Sequence, residues 1–153
     1  MARLPQSHAS LDIRPIQHGE EDAVMALWQD CGLTRPWNDP RRDLDFARGK
    51  PGSAVLIGRH EGRLVASIMA GHDGHRGAVY YLSVEPLHRR RGFGRAMLRS
   101  AEAWLLGKGI WKINLAVRTG NAEAQAFYER LGYGRAETVM LERWIDPSKK
   151  GGG

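Results

Sequence analysis

Apolar and polar residues alternate through LDIRPI, Leu11 to Ile16, which predicts a first strand with Pro15 at an edge or a strand end. The period then lengthens. Acids open GEEDAVMALWQDCG, apolar residues recur at Val24, Leu27, Trp28 and Cys31, and Gly32 closes the stretch. That is an amphipathic helix with acids at its positive end and a glycine stop. Two prolines interrupt LTRPWNDPRRD, and Asp39 or Asp43 is placed to cap a short helix through DLDFARGK.

Strand patterns follow in quick succession. SAVLIGRHEGRLVASIMAGHDGHRGAVYYLSVEP divides at Glu61-Gly62 and at Asp73-Gly74, both hairpin-type turns. Three antiparallel strands are expected, near Ala54–Arg59, Arg63–His72 and Gly77–Val84, with Pro86 ending the third. GRAMLRSAEAWLLGKG reads as a helix with Met97, Ala101 and Leu105 on one face and Gly107 or Gly109 as its stop. WKINLAV alternates with Ile113, Leu115 and Val117 on one face, NAEAQAFYERLG is a helix begun at Asn121, and VMLERWI is a last strand. This order predicts an α+β domain with a mixed sheet flanked by helices.

Composition narrows the class. A chain of 153 residues holds one core, so one domain over residues 11–146 is expected, with flexible termini at 1–10 and 147–153. The single cysteine, Cys31, excludes an internal disulfide, and its apolar setting favours a structural thiol over a nucleophile. No metal site is expected. No apolar run approaches the ~18 residues of a membrane span, and MARLPQSHAS lacks a signal-peptide core, so a cytoplasmic protein without a membrane partner is expected. A net charge of +6 favours an anionic partner: nucleic acid, a membrane surface or a phosphorylated ligand.

VEPLHRRRGFGRAML decides among these. A strand ends at Val84, Arg89, Arg90, Arg91, Gly92, Phe93 and Gly94 form a turn, and a helix begins. A helix N-terminus exposes unpaired N–H groups, glycines let backbone approach an anion, and arginines add charge at the rim. Met97 stands where a dinucleotide fingerprint needs its third glycine, and Arg95-Ala96 replaces the Lys-Ser/Thr of a P-loop. Glycines interrupt the basic patch and no aromatic–basic platform accompanies it, which argues against nucleic acid.

LSVEPLHRRRGFGRAML resembles the acetyl-CoA-binding motif of the GNAT superfamily of N-acetyltransferases, R/Q-x-x-G-x-G/A, with Arg89, Gly92 and Gly94 on its defined positions. A second signature of that superfamily, N-x-x-A-x-x-x-Y-x-x-x-G-F/Y, is matched by Asn121, Ala124, Tyr128, Gly132 and Tyr133. The likeness spans Leu11 to Ile145, and RPWNDP and GHDGHRG resemble a bacterial subgroup of small stand-alone acetyltransferases. The resemblance implies the GNAT fold, a splayed strand pair in the central sheet, acetyl-CoA as co-substrate, a small-molecule or peptide amine as acceptor, and a monomer or homodimer.

It also implies roles. The backbone of Leu82, Ser83 and Val84 would pair with the pantetheine arm, and the turn from Arg89 through Arg90, Arg91, Gly92, Phe93, Gly94 and Arg95 would hold the pyrophosphate. Asn121 would contact the cofactor. Tyr128 would protonate the departing thiolate, and the N–H of Val84 would donate to the oxyanion. In the branch acting on ribosomal-protein N-termini the base is a glutamate, where this chain has Ala116. Asp73 is the expected substitute, with His72, His75, or a water on Tyr80 or Tyr81 as alternatives. Trp37, Asp39 and Tyr81 are acceptor-site candidates. Each has a plainer reading: Tyr128 as a core aromatic, Asn121 as a helix cap, HDGHRG as a good turn, Trp37 as local packing. A non-catalytic acyl-CoA-binding module stays open as the alternative to an enzyme.

Overall fold

The computed structural model describes residues 10–150, which fall into two compact units dividing after Asn114. The first unit is built on hairpins. Glu61 and Gly62 take φ of 51° and 78°, and Gly74 takes 88°, the sign tight hairpin turns require. Four strands result: β1 (Asp12–Pro15), β2 (Ser53–His60), β3 (Arg63–His72) and β4 (Gly77–Val84), in the order β1-β2-β3-β4 with every neighbour antiparallel.

Helices α1 (Glu21–Asp30) and α2 (Pro40–Ala47) precede β2, and α3 (Phe93–Gly107) follows β4. The two-residue period of β3 sorts them onto two faces. Ser67 and Met69 face α1 and α2, where Val24, Trp28, Leu44, Ala47, Val55 and Ile57 form one core cluster. Ala66, Ile68 and Ala70 are fully buried on the opposite face, under α3 and its buried Met97, Leu98, Ala101 and Leu105. Gly77 makes that approach possible: a Cβ there would stand 2.8 Å from Leu105 Cδ1. At the β1–α1 corner Glu20 accepts from Arg14, Arg59 and the Gln17 N–H, and these bonds, Arg14 foremost, hold its carboxyl at about 2.

Two expected strands differ. Of Trp111–Val117, only one parallel bridge forms, Ile113 with Gly77, in which Gly77 N–H donates to Lys112 O and Asn114 N–H to Gly77 O, both at 2.9 Å. The mixed character of the sheet therefore rests on this one pairing. Val139–Ile145 forms no strand; Val139, Leu141 and Ile145 are 85–93% exposed. An alternating pattern marks a face and supplies no partner edge. Trp111 is exposed beneath the Arg76 guanidinium.

In the second unit α4 (Ala122–Arg130) is capped by Asn121, whose Oδ1 accepts from Ala124 N–H at 3.1 Å. Within the tail Pro147–Lys149 makes a 3-10 turn, with Asp146 Oδ1 accepting from the Ser148 N–H and hydroxyl. The remainder, residues 1–9 and 151–153, lies outside the described residues.

Candidate functional site

The two ends of β4 are built differently. At Gly77 the strand is paired on both sides, to His72 of β3 and to Ile113. Toward Val84 the outer edge has no strand partner among the described residues. Within this unit the second pairing of β4 is therefore confined to its Gly77 end.

Between these ends β4 carries a bulge. Met69 pairs with Tyr80 but Ser67 pairs with Ser83, so β4 holds one residue more than β3 across that interval. An extra residue reverses the alternation. Gly77 faces α3, whereas Ser83, an even number of positions away, faces α1 and meets Ser67 Oγ at 2.7 Å. The backbone follows the same shift. Glu85 N–H donates to Val65 O at 2.7 Å while Val84 pairs with Ala66. In an antiparallel ladder this makes Val84 and Ala66 a non-hydrogen-bonded pair. The N–H and C=O of Val84 therefore point to the open edge. The C=O is held there by Arg89 Nε at 3.2 Å and by the Cys31 thiol at 3.3 Å.

Beyond Val84 a 3-10 turn, Pro86–His88, leads into Arg89, and Arg90 and Gly92 take φ of 64° and 79°. Left-handed residues in such a turn direct successive N–H groups into one concavity, an anion-binding nest. Helix α3 begins at once. Its N-cap is Gly92, with no capping side chain and no acid in the first turn. The other helices differ: α2 is capped by Asp39, α4 by Asn121, and α1 carries Glu21 and Asp22 in its first turn. The N–H groups and positive pole of α3 thus have no side-chain cap, a setting that suits an anion, and Arg90, Arg91 and Arg95 beside them are exposed. Phe93 is buried as an anchor. The chemistry of this nest fits a pyrophosphate.

Tyr81 lies in the bulge at φ 52°. A left-handed conformation in a bulky side chain costs about 1–3 kcal/mol, and two contacts offset it. Its ring stacks on Trp28 at 4.0 Å and 15°, and its hydroxyl donates to Asp43 Oδ2 at 2.7 Å. Such a stack contributes about 0.5–1.5 kcal/mol and a bond to a charged acceptor about 1.5–3. Burial, then the Asp43 carboxylate, pushes the phenol above its ordinary range, so it remains a donor. Trp28 in turn donates to Ser67 Oγ at 2.9 Å. Of the acceptor-site candidates, Tyr81 is thus engaged in packing, Asp39 spends Oδ1 on the Arg42 N–H, and Trp37 is partly exposed in the loop before α2.

Asp73 is placed against its expected role as base. Its Oδ1 accepts from the N–H groups of Arg76 and His75, both at 2.8 Å, which lowers its pKa and commits it to the hairpin. It sits beyond the Gly77 end of β4, a strand length of roughly 20 Å from Val84. His75 shares that turn, and His72 Nδ1 accepts from the Gly74 N–H. The hairpin is a structural element.

The second signature lies in the other unit. Tyr128 is half-buried between Phe127 and Tyr133, with ring centroids at 5.1 and 5.5 Å, and burial raises its pKa. It is protonated at neutral pH. Ala116 is exposed. Asp43 and Ser67 entered no expectation for the site, and Trp28 only as core. No local pattern could have found them, because a bulge has no residue signature and their meeting is set by helix placement on the sheet.

Residues 21–133 match the model of the Acetyltransferase (GNAT) family. An acetyltransferase of Yersinia pestis is 39% identical over 131 residues, 86% of this chain and 93% of that protein. One of Sodalis glossinidius is 40% identical over 131 residues, 86% and 92% of the two chains. Among solved structures, the aminoglycoside N-acetyltransferase AAC(6')-Iy in complex with CoA superposes with a TM-score of 0.77 at 18% identity, covering 94% of this chain and 99% of that one. The ribosomal-protein-S18-alanine N-acetyltransferase of Escherichia coli gives 0.69 at 22%, covering 83% and 79%. These two share the fold.

Proposed function

Because this chain belongs to the GNAT family of acetyltransferases, we propose that it moves an acetyl group from acetyl-CoA to a primary amine by direct attack in a ternary complex. The finer placement, among small stand-alone bacterial acetyltransferases, rests on RPWNDP and GHDGHRG together with the Yersinia and Sodalis relatives.

The observation that carries the reading is the open end of β4. There an outward-facing N–H at Val84 leads, within a few residues, into an uncapped helix preceded by two left-handed residues. Acetyl-CoA supplies the activated acetyl group. The nest from Arg89 to Arg95 would hold its pyrophosphate by backbone N–H groups, with Arg90, Arg91 and Arg95 adding charge at the rim. The edge of Leu82, Ser83 and Val84 would pair with its amide-bearing arm. The amine attacks in its neutral form. Val84 N–H would donate to the carbonyl oxygen as it gains charge, and Tyr128 Oη would give its proton to the leaving thiolate and regain one from solvent. The proton shed by the nitrogen as the amide forms would pass to solvent. Asn121 is assigned to the cofactor through the second signature, a role compatible with capping α4. The acceptor is a small-molecule or peptide amine.

Thermal unfolding with and without acetyl-CoA tests the binding half, since a ligand of the native state must raise the midpoint. Thiol release with a panel of amines and peptide N-termini tests the transfer half. No shift at saturating acetyl-CoA would refute the reading. A shift without thiol release on any acceptor would favour a non-catalytic acyl-CoA-binding module, for which Ala116 and the committed Asp73 leave room.

A further inference from the structure

We propose that Tyr81 is a positioning residue for acetyl transfer: stacked on Trp28 and hydrogen-bonded to Asp43, it holds the β4 bulge that turns the Val84 N–H to the open edge. The inference rests on the proposed function of that edge.

Three observations meet at this residue. The register between β3 and β4 slips by one at Tyr81, and the slip sets which backbone groups of residues 82–84 face outward. Tyr81 takes φ 52°, a conformation a tyrosine keeps only when its surroundings impose it. What imposes it comes from two helices at once, the Trp28 ring from α1 and the Asp43 carboxylate from α2. Trp28 is itself tied to Ser67, and Ser67 to Ser83, the residue before Val84. A closed circuit therefore runs from α2 through Tyr81, Trp28 and Ser67 back to β4, all in the first unit. Restoring a regular ladder would turn the Val84 N–H inward to β3 and remove it from the edge. Tyr81 need not touch either substrate to matter; it acts through Val84.

The role separates from simple packing because an oxyanion donor acts on the transition state more than on bound cofactor. Tyr81→Phe keeps the stack and deletes the bond to Asp43. Its expected signature is kcat lowered about tenfold with a smaller rise in the acetyl-CoA Kd, about threefold at most, because the arm pairs along this edge while the Arg89–Arg95 turn still holds the pyrophosphate. Amide hydrogen exchange at Val84, compared in the two proteins without ligand, should also differ. Asp43→Ala should match Tyr81→Phe, the double variant should be no worse than either, and Asp43→Asn, which keeps an acceptor oxygen, should recover most of the loss. Unchanged kcat and unchanged Val84 exchange in Tyr81→Phe would overturn the proposal. So would a parallel loss of thermal stability, cofactor affinity and turnover, which is the mark of packing alone. Should Tyr81→Phe not fold, the Asp43 variants carry the same test. Absence of an acetyl-CoA thermal shift in the wild-type protein would instead refute the parent reading, and this one with it.

Discussion

One strand shows two solutions to the same backbone chemistry. At its Gly77 end β4 is closed: the β3 ladder on one side and the Ile113 bridge on the other, Leu105 and Ile110 against the glycine, and a hairpin whose aspartate is spent on its own turn. At its Val84 end it is open: a bulge, a tyrosine in a left-handed conformation, an edge with no strand partner among the described residues and a helix start with no side-chain cap. The closed end pairs its backbone within the protein on both edges. Under the proposed function the open end offers donors to a ligand, and Trp28, Asp43, Arg89 and Cys31 contact it. A bulge is the device that lets one strand do both, because a single extra residue reverses what faces where.

Substitutions can force the two ends apart. The largest effect is expected at the open end from Gly94→Val, which places a branched side chain on the first turn of α3 where backbone must approach phosphate. The thermal shift with acetyl-CoA should vanish while the unliganded protein still melts cooperatively; a retained shift would remove the nest from the site. Tyr128→Phe should lower turnover by about 10²-fold or more with cofactor affinity kept, read from thiol release against direct binding. Equal turnover would strip Tyr128 of its role as acid.

Gly77→Val should act only at the closed end. A side chain forced to within 2.8 Å of Leu105 costs about 1–3 kcal/mol as overpacking. Denaturant unfolding should report that loss, with the acetyl-CoA shift measured from the lower midpoint unchanged. The smallest effect is expected from Arg90→Ala, a rim charge already in solvent: affinity about two- to fivefold weaker, and more weakly still at high salt. A loss as large as that of Gly94→Val would mean that the side chains, rather than the backbone, make the nest.

Local patterns carried much of this. The hairpin turns at Glu61-Gly62 and Asp73-Gly74 placed β2, β3 and β4 within a residue, because positive-φ turns tolerate few sequences. The apolar stripe of α3 and the cap Asn121 were equally readable, and Asp39 was one of two candidates for the cap of α2, since each depends on contacts three or four residues away. The nest was readable for the same reason. Pairing was less so. Ile113, Leu115 and Val117 keep their alternating half-burial, yet only Ile113 bridges another strand. The base position shows the same limit from the other side. Asp73 had the right chemistry, but along β4 it lies at the wrong end, and nothing in HDGHRG reports distance to Val84.

The amino-acid sequence by itself determined the family, through two motifs of defined spacing, and most of the helices and hairpins, through interactions that close within a few residues. Tertiary structure alone decided that β4 slips by one residue at Tyr81, that Asp43 and Trp28 come from two helices to meet that residue, and that Val84 turns its N–H outward. The reason is physical: a bulge is a property of two strands and what packs on them. No single stretch of chain contains it.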